Sequence, residues 1–199
     1  MARAGITVDR LVAESARIAD EEGFDAVTPS ALARRFGVQV ASLYSHVASA
    51  HDLKRLVALH ALERLADEAS DAVAGRSGGD AITALADVHR RFARTHPGLF
   101  VASRYHLDDA TAAGSAGVRL ARLMRASLRE YRLGEELETH AVRMVGSAIL
   151  GFITLEMSGS FSHSAPDAEA SWTIMLEAMN RLLESYAGMA SPTEQKATP

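Results

Sequence analysis

Apolar residues along this chain recur every three to four positions, and the alternating β-branched runs that mark half-buried strands do not appear. Ala, Leu, Arg and Glu, which all favour helices, are abundant. The pattern predicts an all-α protein of about nine helices. The 199 residues are 48% hydrophobic and 23% charged, which is enough for one or two small domains with a hydrophobic core.

Capping residues and glycines predict where these helices begin and end. Thr7 is a good N-cap for the first helix, and Gly23 stops it. Ser49 is predicted to cap a long fourth helix, and Asp167 the last one. The predicted helices span residues 7–22, 28–36, 40–46, 49–73, 80–95, 99–105, 118–131, 135–157 and 167–187; residues 96–98 are predicted as a turn, 108–117 as a loop with a helix restart, and 190–199 as a disordered tail.

Residues 28–47 predict two short helices on either side of a tight turn. Gly37 can adopt the positive φ that ends the first helix sharply, and the small Ala33 lets the second helix cross close by. The apolar residues spaced to pack beneath the turn are Leu32, Phe36, Val38 and Leu43. The outward positions of the second helix are short and mostly polar, which suits close approach to a DNA major groove.

This segment resembles the DNA-binding domain of the TetR family of repressors. The residues that carry the resemblance, which covers about residues 6–66, are Thr28, Leu32-Ala33, Gly37-Val38, Leu43-Tyr44, His46 and Leu53. The resemblance implies an N-terminal three-helix helix-turn-helix domain over residues 1–48, with the motif at about 29–48. It also implies a helical ligand-binding and dimerisation domain over residues 49–189.

By position, the resemblance implies which residues face a near-palindromic double-stranded operator: Thr28, Ser30, Gln39, Val40, Ala41, Ser42, Tyr44, Ser45 and His46. Tyr44 and His46 can donate hydrogen bonds to phosphates, which position a protein without specifying sequence. The family usually has a phosphate-binding lysine where this chain has Ala50. Lys54, one turn later, is the candidate replacement.

The charge distribution adds modest support for DNA binding. The net charge is −4, but residues 1–60 are neutral and the remainder carries the excess of acids. Residues 26–60 contain four basic side chains and one acidic one, a net charge of +3. A locally positive segment on an acidic body is a weak electrostatic footprint for nucleic acid.

For the C-terminal half, the resemblance implies a homodimer that pairs through the last two long helices. Their apolar residues include Met144, Ile149, Phe152 and Leu155 on one helix and Trp172, Met175, Leu176, Met179 and Leu183 on the other. A helix that is apolar on more than one face must bury more than one face. A monomeric bundle in which both faces are internal is the alternative.

Effector pockets are mainly apolar with a few polar groups. On that basis the candidates for contact with a small-molecule effector are His89, Phe92, Phe100, Arg104, Tyr105, Met124, Leu128, Met144, Phe152 and Trp172. Arg104 is the one that could pair with an anionic ligand. For each residue alone, packing in the core is the alternative.

The region around Gly151, together with residues 96–100, is similar to a TetR subgroup named for a Trp-His-Gly signature. The glycine is present, but Leu150 stands in place of the histidine and the tryptophan is missing. The similarity to this subgroup identifies no ligand.

An enzyme is the main rival class. His89 and His96 lie two helical turns apart, and Glu136 and His140 one turn apart, as in metal sites of helical bundles. Arginines beside His89 oppose a cation, cysteine ligands are absent, and no phosphate loop or nucleophile elbow appears. We therefore expect a non-enzymatic regulator without a cofactor, although a DNA-binding regulator that lacks an effector stays open.

The expected repressor would leave its operator when the effector binds. We find no run long enough to span a bilayer and no signal peptide, so we expect a cytoplasmic protein without a membrane partner.

Overall fold

The computed structural model describes residues 5–189, which form helices and no strand, so the predicted all-α class is confirmed. Ten α-helices follow in order: α1 Val8–Glu22, α2 Pro29–Phe36, α3 Val40–Leu43, α4 Ala50–Val73, α5 Gly78–Thr95, α6 Pro97–Ala102, α7 Asp109–Ala113, α8 Gly117–Leu128, α9 Glu135–Met157 and α10 Ala168–Met189. Short 3₁₀ turns lie at Phe24–Ala26 and Arg129–Tyr131. The predicted disordered tail, residues 190–199, lies outside the described residues.

Local capping chemistry sets most helix starts. The Thr28 hydroxyl accepts a hydrogen bond from the Ala31 amide at 3.1 Å, and Pro29 occupies the first helical position, where a missing N–H costs nothing. Gly37 ends α2 in the left-handed region with φ 65°. The side chains of Thr7, Ser49 and Asp167 cap α1, α4 and α10 in the same way, as predicted.

Several predicted boundaries differ from the structure. Helix α3 ends at Leu43 and continues as hydrogen-bonded turns to His46. Residues 96–98 are not a separate turn, because Pro97 is the first residue of α6, where a proline fits. In the segment 108–117, predicted as a loop with a helix restart, the short helix α7 forms because the Asp108 carboxylate accepts a hydrogen bond from the Thr111 amide at 2.9 Å and caps it.

The first of two compact units comprises residues 5–67 and 91–119 within the described chain. It contains α1–α3, most of α4, the last five residues of α5, all of α6 and α7, and the start of α8. Its largest fully buried side chains are Leu11, Ile18, Leu32, Leu43, Leu53, Phe92, Leu99 and Phe100. Helix α1 packs against both α2 and α6, so residues beyond the predicted DNA-binding domain share its core.

The second unit comprises residues 68–90 and 120–189 within the described chain. A buried arginine joins three of its helices: Arg90 on α5 contacts Glu156 on α9 at 2.6 Å and Glu169 on α10 at 2.9 Å. The same guanidinium lies over the Trp172 ring, 4.8 Å from its centroid. Both carboxylates satisfy a charge that would be costly to bury alone.

Helix α9 is long and apolar enough to cross a membrane by length and composition, so the prediction that no such run exists is wrong. This is weak evidence for a span, since core helices of soluble proteins pass the same test. Its buried residues, Ala141, Val145, Ile149 and Ile153, form one stripe at four-residue spacing. Only 22% of the apolar window is buried within the single chain, so other apolar faces of α9 are uncovered.

Candidate nucleic-acid interface and effector pocket

The turn between α2 and α3 is fixed by backbone hydrogen bonds and by apolar packing. The Val38 amide donates to the Ala33 carbonyl at 3.1 Å, the bond that closes a helix ended by a left-handed glycine. Leu32 and Leu43 are fully buried on the two helices. Because these contacts hold the inner side of α3 against α2, the residues on its outer side form one continuous surface.

The outer side of α3 and the start of α2 carry the residues predicted to face DNA. Ser30, Gln39, Ala41, Ser42, Tyr44 and Ser45 are exposed, while Thr28, Val40 and His46 are half-buried. Tyr44 is the largest apolar-bodied side chain among them and is 52% exposed. The structure brings all nine residues together on α2, α3 and the turns beside them. Their contacts with DNA remain a prediction.

The candidate replacement for the missing lysine is already paired. The Lys54 ammonium contacts the Asp25 carboxylate at 3.1 Å and lies over the Phe24 ring, 5.1 Å from its centroid. Ala50 itself is exposed at the start of α4. Lys54 would therefore have to leave Asp25 before it could meet a phosphate.

The positive charge of residues 26–60 is smaller at the surface than the sequence count indicates. Arg35 contacts Glu21 at 2.6 Å and Glu22 at 2.7 Å, and hydrogen bonds to these carboxylates raise the pKa of its guanidinium. The contact of Arg55 with Asp52 at 2.7 Å is already included in that count, because both residues lie within 26–60. The partners of Arg35 lie 13 and 14 residues away and give no local signal, so the charge count for residues 26–60 included Arg35 without Glu21 and Glu22.

The predicted effector residues are divided between the two units. Phe92, Phe100, Arg104 and Tyr105 belong to the first, and His89, Met124, Leu128, Met144, Phe152 and Trp172 to the second. Phe92, Phe100 and Leu128 are core residues, and the Arg104 guanidinium lies over the Phe100 ring, 4.0 Å from its centroid. Phe152 and Trp172 are in ring contact at 5.0 Å.

A groove of about 320 Å³ lies between α5 and α10 in the second unit. It is lined by Gly79, Asp80, Thr83, Asp87, Glu169, Trp172, Thr173, Leu176, Glu177 and Asn180. Trp172 is the one predicted effector residue in this lining, and its indole N–H donates to the Asp87 carboxylate at 2.8 Å. Sequence reasoning missed the groove because its polar residues are scattered at helical spacing on two distant helices.

The histidines of the rival metal site have other partners. His89 Nδ1 lies 2.7 Å from the Leu85 carbonyl oxygen, and burial lowers the pKa of this imidazole. His96 belongs to the other unit and contacts Asp20. Within residues 5–189 the structure contains no group of three or more His, Asp or Glu side chains that could hold a metal ion.

Comparisons with known proteins agree with this geometry. Residues 82–179 match the family described as "Tetracyclin repressor-like, C-terminal domain". An uncharacterized HTH-type transcriptional regulator of Mycobacterium tuberculosis, Rv0681, is 34% identical over 151 residues, which are 75% of this chain and 69% of that protein. Another from Bacillus subtilis, YobS, is 28% identical over 159 residues, 80% of this chain and 83% of that protein.

Solved structures share the fold. Apo ActR from Streptomyces coelicolor has a TM-score of 0.72 at 20% identity, covering 94% of this chain and 99% of that chain. ActR in complex with (S)-DNPA has a TM-score of 0.63 at 19% identity, covering 93% of this chain and 100% of that chain.

Proposed function

Because the chain belongs to the TetR family of DNA-binding transcriptional regulators, we propose that it is a repressor. It binds a near-palindromic operator in the cytoplasm as a homodimer and leaves it when a small-molecule effector binds. The observation that carries this proposal is the outer side of α3, where short polar side chains and Tyr44 are exposed beside a fixed turn.

The small side chains of α3 suit the groove. Ser42 and Ser45 donate their hydroxyls to the carbonyls of Gln39 and Ser42, at 2.6 and 2.8 Å. On DNA these hydroxyls can turn to base edges or phosphates, and Tyr44 can donate to a phosphate. Two copies of α3 would lie in successive major grooves, roughly 34–36 Å apart.

Uncovered apolar residues on α9 and α10 support pairing of two chains. The exposed large hydrophobic side chains there are Leu155, Met157, Ile174 and Leu182. Helix α9 buries one stripe inside its own unit, so a second copy can cover the remaining apolar surface. A bundle of α9 and α10 from two chains accounts for the apolar character of α9 without a membrane.

Release by an effector rests on the family and on ActR, a protein of the same fold that is solved with (S)-DNPA. The effector of this chain would contact the predicted residues of the second unit, among which Phe152 and Trp172 are already in ring contact. To release DNA, it must bind the DNA-incompetent conformation more tightly than the bound one.

Genome-wide identification of DNA bound by the chain in its host tests the proposal. We expect a small set of sites that share a two-fold-symmetric motif, and raised transcription of the adjacent genes when the chain is removed. Binding without a shared motif, or lowered transcription at every site, would contradict it. Thermal-shift screening of metabolites then tests the effector, because a ligand of the native state raises its apparent stability.

A further inference from the structure

The last turn of α1 carries three successive acids, Asp20, Glu21 and Glu22. The C-terminal end of a helix is the negative end of its dipole, where exposed carboxylates are unfavourable. The last turn contains no basic residue to offset them. Partners outside α1 therefore have to stabilise this segment, which we call the acidic turn.

On one side, the acidic turn binds α6. Asp20 accepts a hydrogen bond from the Leu99 amide at 3.0 Å, and its other carboxylate oxygen lies 2.8 Å from His96 Nδ1. His96 Nε2 lies 2.8 Å from the Arg64 guanidinium of α4. Because a guanidinium only donates, Nε2 must accept, which assigns the ring proton to Nδ1, facing Asp20.

The backbones of α1 and α6 also touch at this place. A Cβ at Gly98 would lie 1.9 Å from the Ala19 carbonyl oxygen, so only glycine permits this approach. The position of α6 against α1 is therefore defined by a hydrogen-bonded histidine, a backbone amide and a glycine contact. The first two converge on Asp20 itself.

On its other side, the acidic turn binds α2. Glu21 and Glu22 both contact Arg35, which lies in the last turn of α2, two residues before Gly37. Gly37 begins the turn into α3. The acidic turn thus connects α6 to the C-terminal end of α2, the helix that precedes α3. All the residues in this chain of contacts belong to the first unit.

We propose that the acidic turn is a positioning element for operator binding. Asp20 fixes α1 to α6, Glu21 and Glu22 fix α2 through Arg35, and the two attachments together set the orientation of α3. A shift of α6 reaches α3 by this path. The inference rests on the proposed operator binding and adds Asp20, His96 and Arg35 as residues that act on DNA affinity without touching DNA.

A double-mutant comparison on full-length protein tests this proposal. The operator is first selected from random duplexes, and affinity is then measured for the parent, Asp20→Asn, Arg35→Gln and the double variant. Losing a hydrogen bond to a charged group costs enough for each single variant to bind about tenfold more weakly. The double variant should also bind about tenfold more weakly, because both changes interrupt the same path.

If the two substitutions act independently, the expected affinity of the double variant is different. Independent, merely structural effects would multiply to about a hundredfold loss in the double variant, since uncoupled sites add in free energy. That result, or single variants that bind like the parent, would overturn the proposal. Asp71→Asn, an exposed acid of α4 in the second unit, is the matched control and should bind like the parent.

Two further measurements separate folding and function from positioning. Circular dichroism confirms that each variant is folded at the assay temperature, and His96→Ala replaces Asp20→Asn if the latter is not. The salt dependence of binding should be unchanged, because no phosphate contact is removed. If the parent itself binds no duplex, the proposed function fails. The positioning element fails if the parent binds and the single variants either bind like it or show losses that multiply in the double variant.

Discussion

Tyr44 is the single residue on which the proposed DNA interface depends most. It lies directly after α3 and is 52% exposed, although a tyrosine buries a large apolar body when a partner is available. Its neighbours on the same side are serines and an alanine, which offer little contact area. A loss at Tyr44 should therefore be the easiest to detect.

We expect Tyr44→Ala to weaken operator binding by about tenfold, because a phosphate hydrogen bond and its packing contribute on the order of 1–2 kcal/mol. The measurement is fluorescence anisotropy with the selected operator at several salt concentrations. Tyr44→Phe keeps the ring and removes the hydroxyl, so it isolates the hydrogen bond. Undiminished binding by Tyr44→Ala would contradict the assigned interface.

His89 predicts a pH dependence of stability. Burial lowers the pKa of its imidazole below the ordinary 6.5, with the Leu85 carbonyl opposing this in part, so protonation of His89 is less favourable in the folded protein than in the unfolded chain. Below pH 6.5 the unfolded chain binds the proton more readily than the folded one. The contribution of His89 to the free energy of unfolding is thus fully present above pH 6.5. It is lost as the pH falls toward the pKa that His89 has in the folded protein.

We therefore expect the free energy of unfolding to fall as the pH is lowered from about 7 to about 5, and to fall less in His89→Gln. Urea denaturation at a fixed protein concentration measures both slopes. His60, whose pKa is also lowered by burial, keeps some pH dependence in the variant. Equal slopes in the two proteins would show that His89 does not titrate as the structure indicates.

At the scale of helices, the contact between α1 and α6 depends on the absence of a side chain. Gly98→Ala would place a methyl group within the Ala19 backbone, and the helices would have to move apart. We expect a loss of stability of about 1–3 kcal/mol, as for other overpacked sites. Gly114→Ala is the control, since its Cβ would meet its nearest neighbour at an ordinary 3.7 Å.

Thermal unfolding of both glycine variants checks this prediction. Gly98→Ala should also weaken operator binding, because it displaces α6 from the acidic turn. The Gly114 variant should match the parent in both measurements. A Gly98→Ala protein as stable as the parent would mean that α1 and α6 do not approach as closely as described.

The apolar surface of α9 and α10 makes a prediction about assembly. Ile174 is 60% exposed on α10, the highest value among the large hydrophobic residues of the described chain. A buried, unpaired charge at a dimer interface is strongly unfavourable, so Ile174→Glu should shift the protein from dimer to monomer. Sedimentation velocity measures this shift.

Val101→Glu provides the matched control for Ile174→Glu. Val101 is another exposed hydrophobic residue, but it lies on α6 in the first unit. We expect this variant to remain dimeric. If Ile174→Glu remains dimeric as well, the pairing surface lies elsewhere.

Over the whole molecule, the sequence predicted what depends on nearby residues. The all-α class follows from the spacing of apolar residues along the chain. The caps at Thr28, Ser49 and Asp167 and the end of α2 at Gly37 follow from residues within four positions of the backbone groups they contact. Family resemblance added the helix-turn-helix, and the relatives confirm the family.

Features set by distant residues were not predictable in this way. His96 contacts Asp20 across 76 positions, and Lys54 contacts Asp25 across 29. No local pattern marks such pairs, so the sequence predicted neither contact and offered Lys54 as a candidate phosphate contact. The predicted effector residues were chosen by type alone, and they divide between the two units. The effector contacts and the domain limits at residues 48 and 49 remain predictions.

The most direct test of the central claim is the stoichiometry of the protein on its selected operator, measured by native mass spectrometry. We predict two chains on one near-palindromic duplex, with half-site centres about 10 base pairs apart. A scrambled duplex of equal length should bind at least about a thousandfold more weakly at the same salt concentration. A single chain per duplex, or equal binding to the scrambled duplex, would contradict the account.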